Sequence, residues 1–130
     1  MKIPTALIGC RVDQTAFDFQ VRLYLSALDP DEGYRVDAEL VIETPFLFGD
    51  ASGEWHELDP GTHLAPVLGL FGRTVTTVEV KGRGALELTF DDNAVLHIGP
   101  NQRYKSWHLT GTGVEPAMVG PGGETNWHLP

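Results

Sequence analysis

Apolar and polar side chains alternate along much of this chain, and that alternation limits the folds it can adopt. In the stretch AFDFQVRLYLSAL, the apolar positions are Phe17, Phe19, Val21, Leu23, Leu25 and Ala27. The positions between them hold polar side chains and Tyr24. A period of two is typical of a β-strand that buries one face. The pattern therefore predicts one long strand through these residues, with Phe17 and Phe19 on its buried face.

A second alternating stretch follows after a short turn. The sequence DPDEG at residues 29–33 is dense in residues that form turns. In the stretch YRVDAELVIE that comes next, the apolar positions are Val36, Ala38, Leu40 and Ile42. Two alternating strands across a short turn predict an antiparallel hairpin. Pro45 is expected to end its regular pairing.

The stretch GALELTFDDNAVLHI, residues 84–98, predicts another hairpin whose register can be worked out. If residues 91–93 form a three-residue loop, Leu88 faces Leu96 and Leu86 faces Ile98, so the apolar residues share one face. A two-residue loop would place a histidine against Leu88. Three-residue loops end on a residue in the left-handed region, where asparagine is the best substitute for glycine. Asn93 is therefore predicted to have a positive φ.

The rest of the chain predicts short elements. Residues 49–62 have the composition of a loop, and four apolar residues at helical spacing then indicate a short helix. These four are Leu64, Val67, Leu68 and Phe71. Further strands are expected in RTVTTVEV, in YKSWHL with Trp107 inward, and near AMV. The prediction is a single α+β or mainly β domain over residues 1–130, a curled antiparallel meander of about seven strands with one short helix.

Charge and cysteine content narrow the functional classes. The net charge is −9, and residues 1–60 hold twelve acidic against four basic residues. A nucleic-acid-binding protein needs the opposite sign, so that class is not expected. No stretch approaches the roughly 18 apolar residues of a membrane-spanning helix. The lone Cys10 cannot form an intramolecular disulfide and fits a reducing compartment, so a cytoplasmic location is predicted.

The C-terminal half resembles a known family. GALELTFDDNAVLHIGPNQRYKSWHLTGTG, followed by PGGETNW, is similar to small uncharacterised actinobacterial proteins that carry F-D-D-G, Y-E-x-W and P-G-G motifs. The likeness is best over residues 84–127. This chain departs from it at Asn93, where the family has glycine, and at Lys105, where it has glutamate. The resemblance implies no established activity, and only an analogy links such small acidic proteins to immunity proteins encoded beside toxins.

Histidines supply one candidate metal site. In the predicted register, His97 lies opposite Glu87, and it also lies opposite His108 if the next hairpin pairs Ile98 with Trp107. Two imidazoles and a carboxylate can bind Zn²⁺ or another divalent metal. The alternative is a solvated face with a weak Glu–His contact. No metal or other cofactor is predicted on this basis.

Other candidate chemistry is weaker. The loop WHELDPGTH contains His56 and His63, but their spacing matches no known zinc hydrolase helix. Cys10 stands in an apolar stretch without an activating partner nearby in sequence. Trp107 shares a strand face with Leu109, which favours core packing over ligand stacking. No catalytic residue is therefore predicted, and the chain is not expected to be an enzyme.

The outward face of the N-terminal hairpin is the favoured binding site. Its predicted members are Asp18, Tyr24, Asp37, Glu39 and Glu43. If Arg22 neutralises Glu39, three carboxylates remain to attract a basic protein. The predicted function is a non-catalytic protein-binding domain, in sharper form an immunity-type inhibitor of a basic bacterial toxin. The alternatives are a small metal-dependent hydrolase that uses surface histidines and a structural homodimer that pairs exposed sheet edges.

Overall fold

The computed structural model describes all of residues 1–130 and contains two antiparallel sheets of five strands each. The ten strands are β1 (Arg11–Phe17), β2 (Val21–Asp29), β3 (Gly33–Ile42), β4 (Phe46–Gly49), β5 (Trp55–Leu58), β6 (Val75–Lys81), β7 (Ala85–Phe90), β8 (Val95–Ile98), β9 (Trp107–Thr112) and β10 (Ala117–Val119). Sheet 1 has the order β1-β2-β3-β9-β10, and sheet 2 has the order β5-β4-β8-β7-β6. The fold is mainly β, which is one of the two predicted fold classes.

The first alternating stretch forms two strands, β1 and β2, so the prediction of one long strand is wrong. β1 turns into β2 through Asp18–Gln20, where the Asp18 carboxylate accepts the Gln20 backbone N–H at 2.8 Å. Phe17 then pairs with Val21. Phe19 stands at the tip of this turn and is 93% exposed, and Phe17 is 39% exposed, so the predicted place of both on the buried face is wrong.

The predicted β2–β3 hairpin is confirmed. Leu23 pairs with Leu40 and Leu25 with Ala38, and all four side chains are buried. β3 ends at Ile42, just before the predicted stop at Pro45. The alternating pattern therefore places these four apolar residues on the inner face of sheet 1.

The predicted β7–β8 hairpin is also confirmed in register and turn. Leu86 pairs with Ile98 and Leu88 with Leu96. Asn93 has a φ of 69°, in the left-handed region expected at the end of the loop. Turn chemistry and the shared apolar face were sufficient to fix this hairpin.

The chain changes sheets twice, which corrects the prediction of a single curled meander of about seven strands. It leaves sheet 1 after β3, builds sheet 2 with β4 to β8, and returns to sheet 1 as β9. Two strands, β4 and β5, occupy a region that was predicted to be mostly loop. β9 pairs with β3, which lies far away in sequence, and not with its sequence neighbour β8.

The predicted short helix is a 3-10 helix over Ala65–Leu70, and another covers Thr5–Leu7. A 3-10 helix repeats every three residues, so Leu64, Val67 and Leu70 share its buried side. The predicted α-helical spacing had placed Leu68 and Phe71 inward, but both are exposed. Neither helix has the length and apolar character of a membrane span.

One core of 28 buried residues is shared by the two sheets. On one side, main-chain hydrogen bonds link the start of β1 to the start of β6, including Val75 N–H to Cys10 C=O at 2.8 Å. Trp107 is fully buried, as predicted, and its indole N–H donates to the Gly84 carbonyl at 2.9 Å. Because Trp107 begins β9 and Gly84 precedes β7, this bond ties sheet 1 to sheet 2.

Candidate functional site

The predicted acidic face lies on the outer side of sheet 1. Tyr24 pairs with Glu39, and Glu39 pairs in turn with Thr110 of β9. Asp37 lies between Ser26 and Thr112 in the neighbouring row. We call the five predicted residues Asp18, Tyr24, Asp37, Glu39 and Glu43 the hairpin face. Three of them lie within β2 and β3, and the register of these strands brings Tyr24, Asp37 and Glu39 to one side of the sheet.

Arg22 organises one part of this surface. It pairs in register with Val41 and reaches diagonally to Glu39, with which its guanidinium makes a hydrogen bond and an ion pair. It also contacts the Asp18 carboxylate at 3.7 Å. The hydrogen bond to Glu39 raises the pKa of Arg22 further above its usual value. Glu39 and Asp18 therefore share one cation, and the carboxylates are more compensated than the sequence suggested.

Glu43 belongs to a second polar cluster, at the start of β9. Its carboxylate accepts a hydrogen bond from the Gln20 side-chain amide at 2.6 Å. Lys105 Nζ lies 3.3 Å and His108 Nδ1 lies 3.4 Å from the other carboxylate oxygen. Lys105 supplies a cation to Glu43. Of the four predicted carboxylates, only Asp37 makes no ion pair.

Ser106 adjoins this cluster through its main-chain carbonyl, which accepts the Glu43 N–H at 2.9 Å. A serine, a histidine and a carboxylate are the residue types of a hydrolase triad. Ser106 Oγ, His108 Nδ1 and Glu43 Oε2 are all buried atoms without a well-formed hydrogen bond. Ser106 is fully buried, however, so its hydroxyl cannot reach a substrate in this conformation. The arrangement is consistent with a packed polar junction between β3 and β9.

The predicted row of Glu87, His97 and His108 does not form. His97 Nδ1 does lie 3.0 Å from Glu87 Oε2, as the β7–β8 register predicted. His108 is in sheet 1 opposite Val41, because β9 pairs with β3 and the other neighbour of β8 is β4. The hydrogen bond from His97, followed by the contact with Lys81, lowers the pKa of Glu87.

A different group of side chains meets at the β4–β5 turn. One ligand atom each from Asp50, Glu54 and His56 lies within 4.8 Å of the others, close enough to hold a metal ion. Asp50 Oδ1 already accepts hydrogen bonds from the Ser52 and Glu54 backbone N–H groups and from the Ser52 hydroxyl, and Oδ2 contacts His56 Nε2 at 3.0 Å. The Ser52 hydroxyl and His56 hold the pKa of Asp50 well below its usual range. These bonds fix the turn.

The loop WHELDPGTH does not assemble as one group of ligands. His56 pairs with Phe48, whose side chain is buried, whereas Glu57 pairs with the exposed Leu47. Alternation along β5 therefore sends His56 and Glu57 to opposite faces. His63 lies in the exposed loop beyond the strand.

Sequence reasoning missed a surface on β5. Trp55 is 56% exposed and lies flat against Gly49, where an added Cβ would be only 3.2 Å from the indole ring. Glu54, Glu57 and Asp59 nearby are exposed and make no ion pair. One signal in the sequence could have found this surface: residues 36–72 contain seven acidic residues and no lysine or arginine.

Comparison with known proteins gives one match. The sequence profile described as Family of unknown function (DUF6188) matches residues 3–128, nearly the whole chain. No curated protein and no solved structure shows significant similarity to the chain.

Proposed function

The chain belongs to DUF6188, a family of unknown function, and we propose that it acts as a non-catalytic domain that binds a basic protein through the hairpin face. In the sharper form of this proposal, the partner is a bacterial toxin whose active site the domain masks, as an immunity protein does. The observation that supports this proposal is that Tyr24, Asp37 and Glu39 lie next to one another on one outer face.

The chemistry of these three residues supports recognition of a cationic surface. Tyr24 offers a flat, partly exposed aromatic ring beside Glu39. Asp37 is exposed and has no cation of its own, so its charge is available to a partner. Aromatic residues beside carboxylates are effective contacts for lysine and arginine side chains. Arg22 limits the contribution of Glu39, so most of the binding energy is expected near Tyr24 and Asp37.

The first experiment captures the partner. Tyr24 is replaced by the photo-crosslinking residue p-benzoylphenylalanine, and the protein is irradiated in cells of its source organism. We expect one dominant crosslinked protein that carries a basic patch. The same residue installed in place of Thr77, on the outer side of sheet 2, provides the control and should not capture that protein.

The second experiment measures the purified partner by calorimetry against Asp37→Lys, Glu39→Lys and the distant control Glu79→Lys. Asp37→Lys should weaken binding about tenfold, and added salt should weaken wild-type binding. Glu79→Lys makes the same charge change outside the hairpin face and should have little effect. Binding that is indifferent to Asp37→Lys, to Glu39→Lys and to salt would contradict the proposal. So would stoichiometric metal that survives chelation, since it would favour a metal-dependent enzyme.

A further inference from the structure

β5 forms an open edge of sheet 2. It pairs with β4 on one side only; at the opposite edge of the sheet, β6 is bonded to the start of β1 through Val75 alone. At the β4–β5 turn, the Asp50 N–H donates to the Glu54 carbonyl at 2.9 Å. Hydrogen-bonded pairs alternate in an antiparallel ladder, so His56 and Leu58 bond to β4. The main-chain groups of Trp55 and Glu57 therefore point away from β4, toward the open edge.

β10, an edge strand of sheet 1, is poorly suited to accept a strand. It has only three residues, and Pro116 and Pro121 lie close to its two ends. Proline and short length are ordinary means of protecting a sheet edge from pairing. β5 is four residues long, and its one nearby proline, Pro60, lies two residues beyond its end at Leu58. It therefore offers two donor–acceptor pairs to an added strand.

The outer face of sheet 2 beside this edge has chemistry suited to a cation. Trp55 covers Gly49 with one face of its ring and leaves the other face to solvent. Next to it, Glu57 and Leu47 border a shallow recess of about 340 Å³ that also includes His97. A lysine or arginine on an added strand could contact the Trp55 ring and the Glu57 carboxylate together.

Charge indicates what kind of strand would pair here. Glu54, Glu57 and Asp59 have no ion-pair partner, and no lysine or arginine occurs anywhere in residues 36–72. A second copy of this chain pairing edge to edge would bring these carboxylates together, and like charges oppose such pairing. A basic strand would instead neutralise them.

We infer that the β5 edge binds an extended basic segment of another protein by strand addition. The segment would hydrogen-bond to the main chain of Trp55 and Glu57 and place alternate lysine or arginine side chains against the Trp55 ring and the Glu57 carboxylate. This surface is distinct from the hairpin face, so its existence does not depend on the proposed function. Failure of one can be told from failure of the other.

The test uses a short acetylated and amidated peptide in which lysine and valine alternate. Amide hydrogen exchange of the full-length protein is followed by NMR during titration. At a peptide concentration about ten times Kd, the Trp55 and Glu57 amides should exchange roughly tenfold more slowly. The His56 amide, which already bonds to β4, should change little. The matched control peptide carries N-methyl groups at alternate residues, keeps every charge, and should not protect these amides.

Two variants test the side-chain contacts. Trp55→Ala should weaken peptide binding about threefold, and Glu57→Lys about fivefold or more. Glu79→Lys, on β6 at the opposite edge of the same sheet, makes the same charge change away from β5, should leave peptide binding close to wild type and serves as the control. Three results would overturn the inference: absence of protection at Trp55 and Glu57 under saturating peptide, equal binding of the N-methylated peptide, or protection of these amides by self-association of the protein without peptide.

Discussion

Replacement of Trp107 by phenylalanine tests whether this residue joins the two sheets. The indole N–H donates to the Gly84 carbonyl at 2.9 Å, and phenylalanine cannot make this bond. A buried carbonyl left without a partner costs about 1–3 kcal/mol. The smaller ring also loses apolar contact, including part of its packing on Trp127, which adds about 1 kcal/mol. We expect Trp107→Phe to lower the free energy of unfolding by about 2–4 kcal/mol.

The three tryptophans of the chain provide their own control series. Trp127 is half-buried, and its indole N–H donates to the Glu124 carbonyl at 2.7 Å, where water can substitute. Trp127→Phe should therefore cost about 1 kcal/mol or less, and Trp55→Phe on the surface about 0.5 kcal/mol at most.

Urea unfolding followed by far-UV circular dichroism measures all three variants. With a slope of about 1.5 kcal/mol per molar urea, the midpoint for Trp107→Phe should fall by roughly 1.3–2.7 M. Equal, small losses for Trp107→Phe and Trp127→Phe would refute the reasoning, because the buried bond would then contribute no more than the half-exposed one.

Three further predictions concern turns, a close contact between strands and acid stability. Asn93→Ala should lower Tm by about 4 °C, because alanine resists the left-handed conformation, whereas Asn93→Gly should not lower Tm. Gly111→Ala should cost about 3 kcal/mol in urea unfolding, since its Cβ would overlap the carbonyl oxygen of Asp37; Gly120→Ala, with nothing within 4 Å, should be nearly neutral. The lowered pKa of Glu87 gives stability that is present above the unfolded-state value near 4.5 and is lost as pH falls through the folded-state value. Unfolding measured from pH 6 to about pH 2 should therefore be less acid-dependent in Glu87→Gln than in wild type.

The parts of the fold that could be predicted from sequence are those that local chemistry decides. At residues 91–93, one loop length alone puts every apolar neighbour on the same face, and Asn93 suits the left-handed position that this loop requires. The contact between Glu87 and His97 followed from the same register. The outward placement of Tyr24, Asp37 and Glu39 likewise followed from simple alternation.

The turn between β1 and β2 could not be predicted, because the alternation of apolar and polar residues that indicates the two strands continues through it. The loop has three residues, so Val21 follows Phe17 by four positions. Because four is an even number, the period of two continues across the loop. The turn contains no glycine or proline to mark it. Phe19 consequently had the spacing of a core residue, although it is at the tip of the loop.

Partner choice among distant strands could not be derived from local pattern. β8 and β9 are neighbours in sequence with suitable composition for a hairpin, yet they belong to different sheets. That error placed His108 beside His97. The compensation of Glu39 by Arg22 was anticipated, although Arg22 reaches it diagonally. That of Glu43 was not, because Lys105 lies in the loop before β9, which is far from Glu43 in sequence.

The position of β3 between β2 and β9 has a consequence for synthesis on the ribosome. As the chain emerges, β1 to β3 can associate early, but the strand that completes their sheet is made only after all of sheet 2. During that interval, one side of β3 has unsatisfied main-chain groups next to the apolar side chains of Leu40 and Ile42. A nascent chain that stalls before Trp107 would therefore expose the unpaired edge of β3, which can aggregate with other chains. Emergence of the segment that forms β9 covers this edge and protects the chain from aggregation.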